Sequence, residues 1–100
     1  MPTILVEFEV ENVDQAKMAM EQNADMLEHL TEEAKEHGAR HHAFYTDGHA
    51  LIALDDWDSE AGFHDFFDTN REVKSITEQA GVTKAPKVMV LTTMTVPGAF

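Results

Sequence analysis

The chain has 100 residues and a formal net charge of −12, from 19 acidic and 7 basic side chains. Binding to phosphate groups needs clustered Lys and Arg, and no stretch gathers them, which argues against nucleic acid or an anionic membrane as partner. The absence of cysteine excludes disulfides, a thiol nucleophile and a zinc–cysteine site. The length suits one domain, residues 1–100, and the lack of a signal peptide or long apolar run favours the cytoplasm.

The N-terminal segment, residues 3–11, alternates as a half-buried strand does. One face carries Ile4, Val6, Phe8 and Val10, and the other carries Leu5, Glu7, Glu9 and Glu11. Asn12 is a good N-cap for a helix that runs to about His37, and Gly38 supplies the left-handed residue after its end. An apolar stripe at helical spacing predicts its core-facing side, which consists of Ala16, Met20, Asn23, Leu27, Leu30 and Ala34.

Asp47-Gly48 lies between two β-rich runs and predicts a hairpin with a two-residue type I′ turn. This turn would pair Thr46 with His49, Phe44 with Leu51, His42 with Ala53 and Arg40 with Asp55. Side chains alternate between the faces of a sheet. One face therefore receives Arg40, His42, Asp55 and Trp57, with Glu7 and Glu9 as candidate neighbours, and the other receives His41 and Tyr45.

Two further helical segments follow the hairpin, with Ser59 and Asn70 as N-caps. The first carries Phe63, Phe66 and Phe67 along one side, and the second spans residues 71–80 and ends at Gly81. Residues 87–96 are the last strand. With right-handed crossovers, the order β-α-β-β-α-β predicts an α+β, ferredoxin-like protomer. It has a four-stranded antiparallel sheet, in the order 4-1-3-2, with the helices on one face.

Helices on one side leave the other sheet face uncovered, although both faces carry apolar side chains. A contiguous apolar surface of this kind marks an interface. Two copies packed sheet to sheet need only one self-complementary surface. We therefore expect a homodimer, in which the two sheets form a dimeric α+β barrel.

With this predicted fold and dimer, the chain resembles the dimeric α/β-barrel superfamily, and within it the antibiotic biosynthesis monooxygenase-like domains. The resemblance covers nearly the whole chain. It rests on the element order, on a strand that ends in Trp57, on the Asp58-Ser59-Glu60-Ala61 sequence before an aromatic helix, and on the break at Asn70. It implies a cofactor-independent monooxygenase that acts on an aromatic or polyketide-like small molecule. The haem-degrading branch fits less well, because Val6, Glu7 and Phe8 stand where its Asn would fall.

Two histidines are candidate catalytic residues. His42 shares its predicted face with a carboxylate, and such a histidine can act as a general base near neutral pH. His64 flanks the aromatic side of its helix and could project into a cleft between helix and sheet. The structural alternatives are an Arg40–Asp55 ion pair in a wet interface and a His64 that bonds to a neighbour on its own helix.

Six residues are expected to bind the ligand: Tyr45, Trp57, Phe63, Phe67, Arg40 and Asp55. The phenylalanines are more simply core residues, and a non-catalytic ligand-binding or stress-response dimer would fill the pocket with them. No metal site and no cofactor are predicted. Zinc and iron sites need three or four converging ligands. The best imaginable cluster joins His42 and Asp55 with Glu7 or Glu9.

Overall fold

Four strands form one antiparallel sheet, with helices packed on one of its faces. The computed structural model describes residues 1–100. Its elements are β1 Thr3–Glu9, α1 Val13–Gln22, α2 Ala24–Glu36, β2 Ala39–Thr46, β3 Ala50–Trp57, α3 Glu60–Phe67, α4 Arg71–Gln79 and β4 Lys87–Leu91. The strand order is β2-β3-β1-β4. This confirms the predicted ferredoxin-like α+β fold, because it is the order 4-1-3-2 read from the other edge.

Three predicted N-caps are confirmed. Asn12 accepts a hydrogen bond from the backbone N–H of Gln15 at 2.9 Å, and Ser59 accepts one from Gly62 at 3.1 Å. The side-chain oxygen of Asn70 accepts from the N–H groups of Glu72 and Val73, at 3.0 and 3.1 Å. Each cap satisfies donors that a helix start leaves free. The starts of α1, α3 and α4 are therefore encoded locally.

The single helix predicted up to His37 is wrong, because the chain breaks at Asn23 into α1 and α2. Asn23 leaves the helical conformation, with φ −111° and ψ 34°. Its side-chain amide donates to the carbonyl of Ala19 at 2.7 Å and to the side chain of Gln79 at 2.8 Å. An Asn side chain competes with the helix for backbone hydrogen bonds. The polar residue within the apolar stripe is thus the point where the helix is interrupted.

The predicted two-residue turn is also wrong. Thr46 pairs with Leu51, so the loop holds four residues, and the pairs from Thr46 to His41 are shifted by two from the predicted ones. The carboxylate of Asp47 accepts hydrogen bonds from the N–H groups of His49 and Ala50, at 2.8 and 2.9 Å. Within this loop only Gly48 has a positive φ, of 94°, whereas a type I′ turn needs two such residues. A shift by two keeps residues 41–46 on their predicted faces, whereas the irregularity between Ala39 and His41 brings Ala39 opposite Trp57 in the core.

The face of the sheet beneath the helices, called the covered face, holds the core. Ile4, Val6 and Phe8 of β1 pack there with Trp57 at the end of β3 and Phe63 of α3. Trp57 and Phe63 are each only 1% exposed, and their rings meet edge to face at 5.4 Å. The alternation predicted for β1 is therefore confirmed.

The opposite face, called the open face, carries apolar side chains without a helix above them. The register aligns Ala43, Leu54, Leu5 and Met89 in one row across all four strands. Met89 and Leu91 remain 42% and 37% exposed. β4 ends at Leu91 rather than at residue 96, because Leu91 already pairs with Thr3, the first residue of β1. Beyond it, β4 has no strand to pair with.

One close backbone contact sets the position of α3. A Cβ atom on Gly62 would lie 2.2 Å from the carbonyl oxygen of His37, at the end of α2. Real Cβ atoms do not approach an oxygen so closely, so only glycine fits there. The N–H of Asp58 also donates to the carbonyl of Gly38 at 2.8 Å. None of the helices has the length and apolar character needed to cross a membrane.

Candidate active site

A cavity of about 370 Å³ lies between the covered face and the helices. Cavities that bind small molecules usually measure about 300–1,000 Å³. Of the 25 residues that line it, 18 are hydrophobic. The size and the lining therefore suit a small apolar molecule with a few polar groups.

Each layer of the fold supplies one wall of this cavity. The covered face forms the floor with Val6, Phe8, Ala53 and Trp57, and α3 closes one end with Phe63, Phe66 and Phe67. The rings of Phe63 and Phe67 stack at 5.0 Å. The roof comes from α2 and α4, through Leu27, Leu30, Val73 and Ile76.

A histidine and a carboxylate meet at the cavity wall. His42 and Asp55 are direct neighbours on β2 and β3, and Nδ1 of His42 hydrogen-bonds to Oδ1 of Asp55. Asp55 is only 7% exposed, and Nε1–H of Trp57 donates to its second oxygen at 3.4 Å. An ionised carboxylate can only accept hydrogen bonds, so in the neutral form of His42 this bond assigns the proton to Nδ1 and the lone pair to Nε2. Such an imidazole is oriented to act as a base.

The ring of Phe44 supports His42 from the side. It lies edge to face against the imidazole at a centroid distance of 4.5 Å. Both residues line the cavity. The side chain of His42 is 42% exposed, so its imidazole is accessible from solvent as well as from the cavity.

The predicted Arg40–Asp55 ion pair is wrong. Arg40 lies at an irregularity of β2, and its guanidinium binds both carboxylate oxygens of Asp58, with Nε at 2.9 Å from Oδ1. These hydrogen bonds raise the pKa of Arg40 and lower the pKa of the Asp58 carboxyl. Because of the two-residue shift in register, Asp55 lies opposite His42 and not opposite Arg40. Arg40 still lines the cavity.

His64 and Tyr45 do not line the cavity. His64 bonds along its own helix, with Nδ1 at 3.1 Å from Asp68 and Nε2 at 3.2 Å from Glu60. The hydrogen bond to Asp68, followed by that to Glu60, raises the pKa of His64. Tyr45 pairs with Ile52 on the open face and is 56% exposed.

The other predicted site residues do come together. His42, Arg40, Asp55, Trp57, Phe63 and Phe67 all line the cavity. Glu7, considered as a neighbour of His42, lies on the open face opposite Ile52, because β1 alternates. Three polar lining residues were not predicted from the sequence: Thr31, Lys35 and Thr77. Their position just beside the apolar stripes of α2 and α4 was the available signal.

No family model matches the chain, and neither does any curated protein. Solved structures do match it in fold. A monooxygenase from Streptomyces coelicolor, in complex with the ligand nanaomycin D, is 18% identical over 95% of this chain and 88% of its own, with a TM-score of 0.69. SnoaB, a cofactor-independent oxygenase from Streptomyces nogalater, is 10% identical over 98% and 97%, with a TM-score of 0.64.

A dimeric ferredoxin-like protein from an uncultured marine organism is 10% identical over 97% of this chain and 92% of its own, with a TM-score of 0.63. Likeness at such low identity speaks for shared architecture alone. The chain therefore has the ferredoxin-like fold of these structural neighbours, which include an antibiotic biosynthesis monooxygenase, a cofactor-independent oxygenase and a dimeric protein.

Proposed function

We propose that this protein is a small-molecule enzyme, a cofactor-independent monooxygenase that acts on an aromatic or polyketide-like substrate. The observation that carries the proposal is the His42–Asp55 pair at the wall of an apolar cavity. A non-catalytic dimer would fill this space with Phe63, Phe67 and methionines. Here the rings stand around a cavity of about 370 Å³ instead. The oxygenases among the structural neighbours support the same reading.

The chemistry begins with a proton transfer. Asp55 fixes the imidazole, and Nε2 of His42 removes a proton from an acidic C–H group beside the aromatic system. The resulting anion gives its electrons to O₂ and forms a C–O bond. The imidazolium returns the proton to the peroxide, which then loses water. The sum is R₂CH₂ + O₂ → R₂C=O + H₂O, so the substrate supplies every electron.

Oxygen consumption tests the proposal. The probes are anthrone-type compounds, in which one CH₂ group lies between two aromatic rings. We expect one O₂ consumed per CH₂ oxidised. His42→Gln and Asp55→Asn should each slow turnover about 100-fold or more, which is the usual contribution of a general base. His49→Gln, in the exposed turn, is the matched control and should keep the wild-type rate.

Binding can be measured separately, because Trp57 is the only tryptophan and lines the cavity. The same probes should quench its fluorescence in wild type and in His42→Gln to a similar extent. Wild-type turnover by His42→Gln, or no quenching by any probe, would contradict the proposal. The proposed catalytic role of His64 is tested in parallel. If His64→Ala leaves quenching and turnover unchanged, that residue has no part in the reaction.

We also propose that the protein is a homodimer formed by its open faces. The row of Leu54, Leu5 and Met89 offers an apolar strip at the centre of the sheet. A dimeric ferredoxin-like protein among the structural neighbours supports dimerisation. Light scattering after size exclusion should give twice the chain mass of 11.2 kDa. A stable monomer would refute the proposed dimer and would leave the proposal about the cavity unaffected.

A further inference from the structure

A second group of ligand-type side chains lies on the outer surface of the helices, apart from the cavity. It consists of His29 and Glu33 on α2 and Glu72 in the first turn of α4. One donor atom from each residue lies within 4.8 Å of the other two. Nδ1 of His29 is 2.7 Å from Glu72, and Nε2 is 3.9 Å from Glu33. Two helices that are distant in the chain thus bring three ligand-type groups to one point.

Local structure holds these groups in place. His29 and Glu33 stand four residues apart, so they project from the same side of α2. Asn70, which caps α4, also donates its side-chain amide to Oε2 of Glu33 at 2.9 Å. This bond fixes the carboxylate and leaves Oε1 towards His29. Outer hydrogen bonds of this kind orient metal ligands in proteins.

Composition alone does not produce this convergence. His64 also has two carboxylates beside it, Glu60 and Asp68, at the same helical spacing. As at His29, the two carboxylates approach different ring nitrogens, but His64, Glu60 and Asp68 do not bring one ligand atom each within 4.8 Å of the other two. The chain therefore contains its own matched comparison for the His29 group.

We propose that His29, Glu33 and Glu72 bind a divalent transition metal ion of the Zn²⁺ class. One imidazole nitrogen and two carboxylate oxygens are ligands that zinc accepts, with water in the fourth position. The side chain of His29 is 59% exposed, so its ring can turn to present one nitrogen, and water can reach the site. The net charge of −12 favours the approach of a cation.

Such an ion would fasten α4 to α2. The inner sides of these helices form the roof of the cavity, through Leu27 and Leu30 on α2 and Val73 and Ile76 on α4. The metal would replace the single His29–Glu72 hydrogen bond with bonds from both helices to one centre. Bound metal therefore holds the roof together from outside, without entering the cavity.

Calorimetric titration with ZnCl₂ tests this site. Wild type should bind one ion per chain. His29→Gln and Glu72→Gln should each weaken binding at least about tenfold, and Asn70→Ala, which frees the Glu33 carboxylate, should weaken it about tenfold. His64→Gln is the matched control and should bind as wild type does. Circular dichroism verifies that all variants are folded.

Amide hydrogen exchange tests the consequence for the roof. Adding ZnCl₂ should slow exchange in α4 of wild type and of His64→Gln, and leave His29→Gln unchanged. Three outcomes would overturn the proposal: no binding by wild type at millimolar ZnCl₂, equal binding by His29→Gln, or loss of binding in His64→Gln. None of these depends on an enzymatic activity.

Discussion

The two faces of the sheet are formed by the same strands and carry similar apolar residues, yet they differ in solvent exposure. Ile4 and Trp57 on the covered face are 0% and 1% exposed, whereas Met89 and Tyr45 on the open face are 42% and 56% exposed. Successive residues differ only in the direction of their side chains. The direction in which a side chain points from its strand, more than its hydrophobicity, therefore decides whether it lies in the core or on an outer surface.

The helices do not shield all strands of the covered face equally. The helices shield β1 and β3, but Phe44 on β2 and Val90 on β4 remain 43% and 39% exposed. The cavity reaches the β2 edge, where His42 and Phe44 line it, and does not include Val90. The proposed chemistry thus lies at one margin of the covered face, and the proposed dimer contact lies on the open face.

The largest effect in this comparison should come from Trp57→Ala. The change empties a fully buried position against Phe63 and removes a donor to Asp55. We expect a loss of about 3–5 kcal/mol in the free energy of unfolding, as is usual for buried aromatic truncations. Urea denaturation followed by circular dichroism measures it. Met18→Ala, at a residue 57% exposed on α1, is the control and should change stability by about 0.5 kcal/mol or less.

A charge on the open face should act on assembly and leave the fold intact. Leu54→Lys places an ammonium group in the central row of that face. We expect the dimer dissociation constant to rise at least about tenfold, because burying an unpaired charge costs more than about 1.4 kcal/mol. Light scattering over a dilution series measures it, with Glu28→Lys on the outside of α2 as control. Unchanged dimerisation would place the interface elsewhere.

The smallest effect concerns His64, which lies outside both faces. Its pKa is raised in the folded state by Asp68 and then Glu60. Folding thus favours protonated His64. The stability that this protonated side chain contributes to the fold is fully present below a pH of about 6.5, the ordinary histidine pKa. It is lost as the pH rises through the raised folded value. The melting temperature of wild type should exceed that of His64→Gln at pH 5–6, and this excess should vanish by pH 9. A constant difference at every pH would refute this account.

Sequence reasoning succeeded where one side chain acts on its neighbours. The caps at Asn12, Ser59 and Asn70 involve residues two or three positions away, and their pattern is visible in the chain. The register error arose because the Asp47 carboxylate binds two amides of the turn and lengthens it. Since the shift was even, Asp55 stayed on the correct face.

Contacts between distant segments were beyond such reasoning. The partner of Asp55 changed from Arg40 to His42 with the register, so the catalytic candidate was on the right face but with the wrong neighbour. The bond between His29 and Glu72 joins positions 43 residues apart. It depends on how α4 lies across α2. No spacing in the sequence encodes the angle at which α4 crosses α2, so the proposed metal site could not be predicted.

The contact between Gly62 and the carbonyl oxygen of His37 determines how far α3 stands from α2. Gly62 lines no part of the cavity, but any larger residue would lift α3 and the aromatic rings it carries. Position 62 therefore governs cavity depth at that end through the backbone. We expect ligands to enter past Phe44, which lines the cavity, is 43% exposed and lies on a strand, so that no helix has to move.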